Sequence, residues 1–297
     1  MNYQGRFAPS PTGALHLGSL VAALGSWLRA RQQHGAWIVR IEDLDRAREV
    51  PGAAAEMLIT LSAFGLESDA PVIYQSEREA AYEQAFERLR GAGHVFPCWC
   101  SRSDLELFGG LHRGECIAPA NASRAPAWRL RVPDITIEFE DAALGHQSEN
   151  LAKSAGDFVV KRVEGGYAYQ LAVVVDDAFQ RISEVVRGAD LLSSTARQIY
   201  LQRLLGLSTP GYLHLPLVVD SSGRKLSKQD QARHVERHDP LPALRAALEF
   251  LGIRGATMAN PASCPALLAS AVKHFDIGIL RAIHAQPEQL MGPAPDV

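Results

Sequence analysis

The chain lacks any long hydrophobic run. None of its apolar stretches approaches the roughly 18 to 20 consecutive residues that a membrane-spanning helix requires. The first ten residues also lack the apolar core of a signal peptide. The sequence therefore predicts a cytoplasmic protein that has no membrane partner.

A large excess of charge of one sign is absent as well. Lysine and arginine together number 30 and the acidic residues 33, which gives a net charge of −3. This balance argues against a protein that coats nucleic acid regardless of sequence, and it leaves any RNA contact to local basic patches. With 297 residues, 47% of them hydrophobic, the chain can bury a substantial core in two or three compact units.

Cysteine is scarce, but three of the four cysteines lie close together. The pattern is Cys98-x-Cys100 followed by His112-x-x-x-Cys116, so that three thiols and an imidazole fall within 19 residues. This set can supply the four ligands of a tetrahedral Zn²⁺ ion. No activating base is evident nearby, so the predicted zinc site is structural.

Alternatives to a metal remain for these cysteines. In a reducing cytosol they can be buried thiols or a transient disulfide. The tight spacing, with Pro97 before it and a loop at Gly109 within it, favours a metal. His94 is a possible substitute ligand, and the distant Cys264 is predicted to be a core residue.

The apolar pattern predicts strands and helices in alternation. Such alternation is typical of an α/β protein with a parallel, doubly wound sheet that binds ligands at the carboxyl ends of its strands. We predict strands over residues 37–41, 72–75, 171–175 and 213–219, helices over residues 52–64, 77–90 and 195–205, and further helices after residue 240.

One further helix carries the first functional signal. Five apolar residues have the spacing of an amphipathic helix that begins near His16, namely Leu17, Leu20, Val21, Leu24 and Leu28. Two prolines and Gly13 hold the preceding chain in a bent loop. The free N–H groups and the positive end of the helix dipole face that bend, which favours a bound phosphate.

The residues at this helix start, together with a later lysine-rich segment, predict an ATP site that forms an aminoacyl adenylate. His16 and Ser19 add hydrogen-bond donors, and Gly18 lets an aromatic base approach the backbone. About two hundred residues later the chain reads Lys225-Leu226-Ser227-Lys228-Gln229. Alone, the first segment can simply begin a core helix and the second can be a solvated loop. Their combination in this order favours the ATP site.

These segments resemble two signatures of class I aminoacyl-tRNA synthetases. His16-Leu17-Gly18-Ser19 is similar to the HIGH signature, and residues 225–229 are similar to the KMSKS loop. The stretch from Arg6 to Gly13 resembles the glutamyl and glutaminyl branch of the class. The resemblance implies a Rossmann-like catalytic domain that uses ATP with Mg²⁺. It gives catalytic roles to His16, Ser19, Lys225 and Lys228, and it places ATP against His16, Gly18, Ser19 and Lys228.

The same resemblance implies a pocket for L-glutamate. Its members would be Arg6, Phe7, Ala8, Pro9, Ser10, Glu42, Tyr169 and Arg187. Glu42 would bind the substrate ammonium, while Arg6, Tyr169 and Arg187 would bind its carboxylates. Which arginine takes which carboxylate stays open at this stage. Without the resemblance, each of these residues also has an ordinary structural explanation.

Within this branch, the chain most resembles the glutamyl-queuosine tRNA(Asp) synthetase family, in four features. These are the cysteine cluster, Ser19 in place of the second histidine of HIGH, the Lys-Leu-Ser-Lys-Gln form of residues 225–229, and only 68 residues after Gln229, which we expect to be too few for an anticodon-binding domain. Members of that family attach glutamate to the queuosine base in the anticodon of tRNA(Asp). The alternatives are a compact glutamyl-tRNA synthetase that charges the 3′ end of tRNA(Glu), a small-molecule ligase or nucleotidyltransferase, and a catalytically silent RNA-binding relative.

The resemblance also gives a predicted domain organisation. Residues 1–94 and 165–239 would form the two halves of the catalytic domain. Between them, residues 128–132 and 135–139 alternate as paired strands do, so residues 95–164 would form a smaller inserted domain that carries the zinc site and resembles an acceptor-binding insert. Residues 240–297 would form a short helical region.

Overall fold

The computed structural model describes residues 2–106, 109–121, 123–217, 235–254 and 263–285. The strands are β1 (Gln4–Phe7), β2 (Ala36–Ile41), β3 (Ile73–Tyr74), β4 (Val95–Cys98), β5 (Ala127–Leu130), β6 (Thr136–Asp141), β7 (Gly145–Asn150), β8 (Phe158–Lys161), β9 (Glu184–Gly188) and β10 (Gly211–Leu215). The helices are α1 (Leu17–Gln32), α2 (Ala53–Ala63), α3 (Glu79–Gly91), α4 (Arg102–Glu106), α5 (Leu151–Ser154), α6 (Tyr169–Phe179), α7 (Leu192–Leu205), α8 (Pro240–Phe250), α9 (Cys264–His274) and α10 (Ile277–Ala285).

Parallel strands form the centre of the molecule. Strand β2 pairs in parallel with β1 and with β3, and β9 pairs in parallel with β10. Strand β9 also runs alongside β1, where the backbone N–H of Ser183 donates to the carbonyl of Gln4 at 3.0 Å. The carboxyl ends of β1, β2, β9 and β10 therefore meet at one edge, which is where α/β proteins bind ligands.

Helices cover both faces of these strands. In β2, Trp37 and Ile38 are both buried but belong to the cores on opposite faces, as alternation along a strand requires. The buried residues of α1, α8 and α9 pack in the core with Trp37, and those of α3, α6 and α7 pack in the core with Ile38. This confirms the predicted α/β architecture with a parallel sheet.

A smaller antiparallel sheet and a hairpin accompany the parallel strands. Strand β5 pairs with β4 and β8, whereas β6 pairs with β7. Strand β6 also lies parallel to β10, with Asp141 opposite Tyr212. The hairpin of β6 and β7 is therefore attached directly to the parallel strands that carry the site.

The predicted pairing of residues 128–132 with 135–139 is wrong. Both segments contain strands, but β5 and β6 belong to different sheets. At the end of β5 the Asp157 side chain accepts the N–H of Val132 at 2.7 Å, a bond that a partner strand would otherwise make. The alternation of apolar and polar residues along a segment indicates that one face of the strand is buried. It does not identify the strand with which that segment pairs.

The predicted strand over residues 171–175 is also wrong, since these residues form the middle of helix α6. Leu171, Ala172, Val173 and Val174 are all buried, because the helix packs against both α3 and α7. A short apolar run buried on several sides has no periodicity that separates a helix from a strand. Strand β9 has only two apolar residues, Val185 and Val186, and the sequence pattern did not indicate it.

The other predicted elements are confirmed within the described residues. Helix α1 begins at Leu17 after an N-cap at His16, and α2, α3 and α7 lie close to their predicted positions. Strand β10 ends at Leu215, so residues 216–217 of the predicted late strand are not part of a strand, and residues 218–219 lie outside the described residues. In the part of the chain that the structure describes, no helix combines the length and the apolar character that crossing a membrane requires.

Candidate active site and metal centre

The start of helix α1 is organised by His16. Its ring Nδ1 accepts the backbone N–H of Ser19 at 3.2 Å, and its Nε2 lies 3.1 Å from the Ser19 hydroxyl oxygen. Since Nδ1 accepts, Nε2 carries the proton and donates to the hydroxyl. A Cβ atom on Gly18 would lie 3.2 Å from the ring, so glycine leaves the space that the imidazole occupies. The structure thus brings His16, Gly18 and Ser19 together at the positive end of the helix.

The loop before α1 is fastened to the chain that follows β2. The carbonyl of Pro9 accepts the N–H of Glu42, and the carbonyl of Pro11 accepts the N–H of Val50, each at 2.9 Å. Gly13 has a φ of +134°, which disfavours other residues and permits the sharp bend there. These contacts place the loop and the helix start beside Glu42.

A buried charge network surrounds Glu42. The guanidinium of Arg40 is fully buried and donates to Glu42 at 3.0 Å and to Asp177 at 2.7 Å. Arg6 donates to the same Asp177 oxygen at 3.4 Å and to the carbonyl of Val186 at 3.2 Å. Asp177 therefore balances part of the positive charge of two arginines.

The pKa values of Glu42 and Asp177 are shifted in opposite directions. Burial raises the pKa of Glu42 above its usual value, although Arg40 and Arg6 oppose the rise. Burial acts in the same direction on Asp177, but there Arg40 and Arg6 outweigh it and lower the pKa. Glu42 is thus a poorly solvated carboxylate whose ionised form would be stabilised by one more cation.

Arg187 lies on β9 and is held by neutral groups. Its Nε donates to Nε2 of His214 at 3.1 Å, Nη1 to the amide oxygen of Gln198 at 2.8 Å, and Nη2 to the hydroxyl of Thr195 at 2.9 Å. The side chain is buried, and among the residues that the structure describes it forms no ion pair. A buried cation with only neutral acceptors can bind an additional anion.

His214 connects Arg187 to the hairpin of β6 and β7. It is the register neighbour of Arg187 on β10, and its Nδ1 lies 2.6 Å from a carboxylate oxygen of Asp141 at the end of β6. Burial lowers the pKa of His214, and Arg187 adds to this effect while Asp141 opposes it. Burial raises the pKa of Asp141, but the hydrogen bonds from His214 and from the N–H groups of Leu144 and Ala143 lower it overall.

Tyr169 is at the first position of α6 and faces the same region. Burial raises the pKa of its phenol, with Glu42 adding to this rise while Arg187 and Arg6 oppose it. The structure therefore gathers Arg6, Glu42, Tyr169 and Arg187 at the carboxyl ends of β1, β2 and β9. This pocket offers one carboxylate whose pKa burial raises and one arginine that forms no ion pair within the described part of the chain.

Not every predicted pocket residue contributes a side chain there. The ring of Phe7 belongs to the core and stacks on Trp37 at a centroid distance of 6.4 Å. Phe7 can therefore face the pocket only through its backbone. The predicted catalytic residues Lys225 and Lys228 lie outside the described residues.

The sequence interpretation missed the residues that hold the pocket together. His214 and Asp141 are 73 residues apart in the chain, and Arg40 and Asp177 are 137 apart. The one available signal was a polar residue within an apolar segment, as in the Leu213-His214-Leu215 stretch of β10. A buried polar residue needs a partner, but the sequence does not reveal which residue that is.

The second predicted site is a compact cluster of thiols and imidazole. Ligand atoms of Cys98, Cys100, His112 and Cys116 lie within 4.8 Å of one another, so this cluster could hold a metal ion. Cys98, Cys100 and His112 are buried, and Cys116 is partly buried. His94 is not a member of the cluster, and Cys264, the first residue of α9, is buried in the core, as predicted.

His112 is oriented as metal-binding histidines are. Its Nδ1 lies 2.8 Å from Asp157, whose backbone N–H donates to the His112 carbonyl at the same distance. Its Nε2 is buried and has no hydrogen-bond partner among the residues that the structure describes. Metal-binding histidines commonly donate one ring N–H to a carboxylate, which fixes the tautomer and directs the other nitrogen to the metal. The residues present therefore fit a metal ion.

The chain is similar to known proteins along most of its length. The model of the family "tRNA synthetases class I (E and Q), catalytic domain" matches residues 3–117 and 111–270. The chain is 57% identical over 263 residues to the "Glutamyl-Q tRNA(Asp) synthetase" of Burkholderia cenocepacia, which covers 84% of this chain and 88% of the relative. It is 55% identical over 274 residues to the protein of the same name from Xanthomonas campestris pv. campestris, with 92% of this chain and 91% of the relative covered.

A solved structure shows the same fold at lower identity. The glutamate tRNA ligase from Elizabethkingia meningosepticum, crystallised in complex with its amino acid, superposes with a TM-score of 0.74 at 24% identity. The match covers 94% of this chain but only 66% of that ligase, so the chain spans somewhat less than two thirds of its length.

Proposed function

Because the chain belongs to the family of class I tRNA synthetases for glutamate and glutamine, we propose that it activates L-glutamate with ATP and transfers it to the queuosine base of tRNA(Asp). The observation that supports glutamate activation is the pocket near the N-terminus of α1 that contains Glu42, Tyr169 and Arg187, where Arg187 forms no ion pair with any described residue. The transfer to queuosine rests on the relatives that share more than half of their residues with this chain and are named for that activity.

The pocket supports a definite orientation for glutamate. The ammonium would bind Glu42, since a nearby cation stabilises the ionised form of a carboxyl whose pKa burial has raised. One carboxylate would bind Arg187, with the Tyr169 phenol as a further donor, because Arg187 has no anionic partner in the described parts of the chain. Arg6 already pairs with Asp177, so its remaining donors would contribute more weakly to the carboxylates.

Activation needs little beyond positioning and electrostatics. The glutamate α-carboxylate attacks the α-phosphorus of ATP in line, and the bond to pyrophosphate breaks as negative charge builds on the phosphate oxygens. His16, Ser19 and the positive end of α1 are placed to stabilise that charge. Lys225 and Lys228 would act on the leaving pyrophosphate, and Mg²⁺ would accompany ATP. A hydroxyl of queuosine would then attack the adenylate and release AMP.

The site of transfer tests this proposal. Labelled glutamate, incubated with ATP and tRNA, should appear in the anticodon fragment of nuclease-digested tRNA(Asp), because queuosine provides the nucleophilic hydroxyl there. The label should be absent when the tRNA comes from cells that cannot make queuosine. ATP–pyrophosphate exchange measured across the amino acids provides the companion measurement, with glutamate expected as the preferred substrate.

A different pattern of labelling would overturn the proposal. Label on the 3′-terminal adenosine of tRNA(Glu) at a comparable rate would make the protein a compact glutamyl-tRNA synthetase. Exchange without transfer to any tRNA would favour a small-molecule ligase, and no exchange at all would favour a silent RNA-binding relative.

We further propose that the cysteine cluster holds one structural Zn²⁺ ion. Three thiolates and one imidazole are a donor set that zinc prefers, and Asp157 fixes the ring of His112. Purified protein prepared without chelators should contain about one zinc per chain. Cys98→Ser and Cys116→Ser should each lose the metal and loosen the surrounding segment, because a thiolate site of this size folds with its metal.

Cys264→Ser is the matched control for the zinc measurement, because Cys264 is buried at the start of α9 and lies outside the cluster. It should retain the full zinc content. Elemental analysis that finds no zinc in the wild-type protein, or equal loss in all three variants, would refute the assignment. Protease cleavage within residues 95–164 gives an independent measure of the loosening.

A further inference from the structure

The positive charge of Arg187 is held in place without being neutralised by direct contact. Among the described residues, its three hydrogen-bond acceptors are the ring nitrogen of His214, the amide oxygen of Gln198 and the hydroxyl oxygen of Thr195. A carboxylate in any of these positions would hold the arginine equally well. It would, however, compete with an anionic substrate for the same charge.

The hydrogen bonds define the protonation state of His214. The Nε of Arg187 can only donate, so Nε2 of His214 must accept at 3.1 Å and cannot carry a proton. The proton therefore lies on Nδ1, where Asp141 accepts it at 2.6 Å. The ring is consequently neutral, and it separates the negative charge of Asp141 from the positive charge of Arg187.

Asp141 is itself fixed by the backbone. One of its oxygens accepts the N–H groups of Ala143 at 3.0 Å and Leu144 at 2.9 Å, and the backbone N–H of His214 also donates to this carboxylate. The ring of Tyr212 stacks against His214 with an interplanar angle of 8° and also lies under the guanidinium of Arg187. The imidazole therefore has little freedom to rotate away from Arg187.

We propose that His214 and Asp141 are positioning residues for recognition of the substrate carboxylate. Asp141 fixes the neutral Nδ1–H tautomer of His214, and His214 then orients Arg187 through an uncharged acceptor. The charge of Arg187 stays available for glutamate. This inference rests on the proposed function, since it assigns Arg187 to the glutamate pocket.

A pair of substitutions at His214 separates this role from packing. His214→Leu fills the space but removes the acceptor, whereas His214→Gln offers Arg187 a neutral amide oxygen at similar reach. In ATP–pyrophosphate exchange, His214→Leu should raise the KM for glutamate about tenfold or more, the effect of a lost hydrogen bond to a charged group. The KM for ATP should change less than about twofold, and His214→Gln should restore most of the loss.

His146→Gln is the matched control, because His146 lies on the hairpin that carries Asp141 but is exposed and pairs with Glu140. It should leave both KM values unchanged. Equal changes in the KM for glutamate and for ATP, or the same loss in His214→Leu and His214→Gln, would overturn the proposal. If His214→Leu fails to fold, as judged by thermal unfolding, Asp141→Asn takes its place. An unchanged KM for glutamate in that variant would also count against the proposal.

A spectroscopic measurement tests the hydrogen bonds independently of catalysis. In protein labelled with ¹⁵N-histidine, the ring signals that His214→Gln removes should show a protonated Nδ1 and an unprotonated Nε2 at neutral pH. An Nε2–H tautomer or an imidazolium would overturn the proposal even in an active enzyme. If the wild-type protein lacks glutamate-dependent exchange, the proposed function is refuted. The tautomer of His214 can still be measured in that case, because the ¹⁵N signals do not depend on activity.

Discussion

Arg187→Gln is expected to raise the KM for glutamate about a hundredfold in ATP–pyrophosphate exchange, with a much smaller effect on the KM for ATP. Glutamine keeps some hydrogen-bonding capacity but removes the charge. The substrate carboxylate would then be buried against neutral groups, and removal of one partner from a buried charge pair costs about 3 kcal/mol, which corresponds to that factor. The size of the effect follows from the absence of any carboxylate partner of Arg187 among the described residues.

Arg90→Gln is the matched control for this experiment. Arg90 lies on α3, is about half exposed, and pairs with Glu87 on the surface. Its replacement should change neither KM, because exposed ion pairs contribute little. Equal losses of affinity for glutamate and ATP in Arg187→Gln would mean that Arg187 has a structural role only, and the proposed orientation of glutamate would fail with it.

Lys228→Ala is expected to lower the turnover number for adenylate formation by a factor of about a hundred or more, while ATP still binds. The lysine would stabilise negative charge that develops as pyrophosphate leaves, so its removal affects the transition state more than the bound substrate. Lys228 lies outside the described residues, and this prediction rests on the resemblance of residues 225–229 to the mobile lysine loop of the class. Exchange kinetics and a separate ATP-binding measurement distinguish the two effects.

Lys273→Ala controls for the loss of a lysine as such. Lys273 is exposed in the last turn of α9, on a surface of the helical region. Its substitution should leave the exchange rate unchanged. A near-normal rate in Lys228→Ala would show that Lys228 has no role in the mechanism. Other groups would then stabilise the negative charge on the leaving pyrophosphate.

Features encoded by short-range patterns could be predicted from the sequence. The spacing of Leu20, Leu24 and Leu28 predicted helix α1, because a helix brings residues three and four apart onto one face. The thiol and imidazole cluster was predictable for a similar reason, since its four residues fall within 19 positions and meet in a local loop. In both cases the chain between the residues is too short to allow many other arrangements.

Features that depend on distant partners could not be predicted. Asp157, which orients His112, is 45 residues away, and nothing in its neighbourhood marks it as part of the cluster. The contacts of Arg187 depend on β9, β10 and α7 meeting in one register. The apolar pattern of a segment indicates which of its faces is buried. It does not indicate which distant segments pack against that face. The incorrect prediction of a strand over residues 171–175 also arose from distant contacts. Because α6 packs against both α3 and α7, its apolar residues do not show the periodicity of a helix with one buried face.

The position of β1 has a consequence for how the protein folds as it is synthesised. This strand is made first, yet it lies between β2 and β9, and β9 begins only at Glu184. At typical rates of translation, β1 therefore waits on the order of ten seconds or more for its second neighbour. During that interval an unpaired strand edge is open to contacts with other chains. The glutamate pocket would assemble last, once β10 brings His214 beside Arg187, and an interrupted chain that ends before β10 would accumulate as an aggregation-prone intermediate without activity.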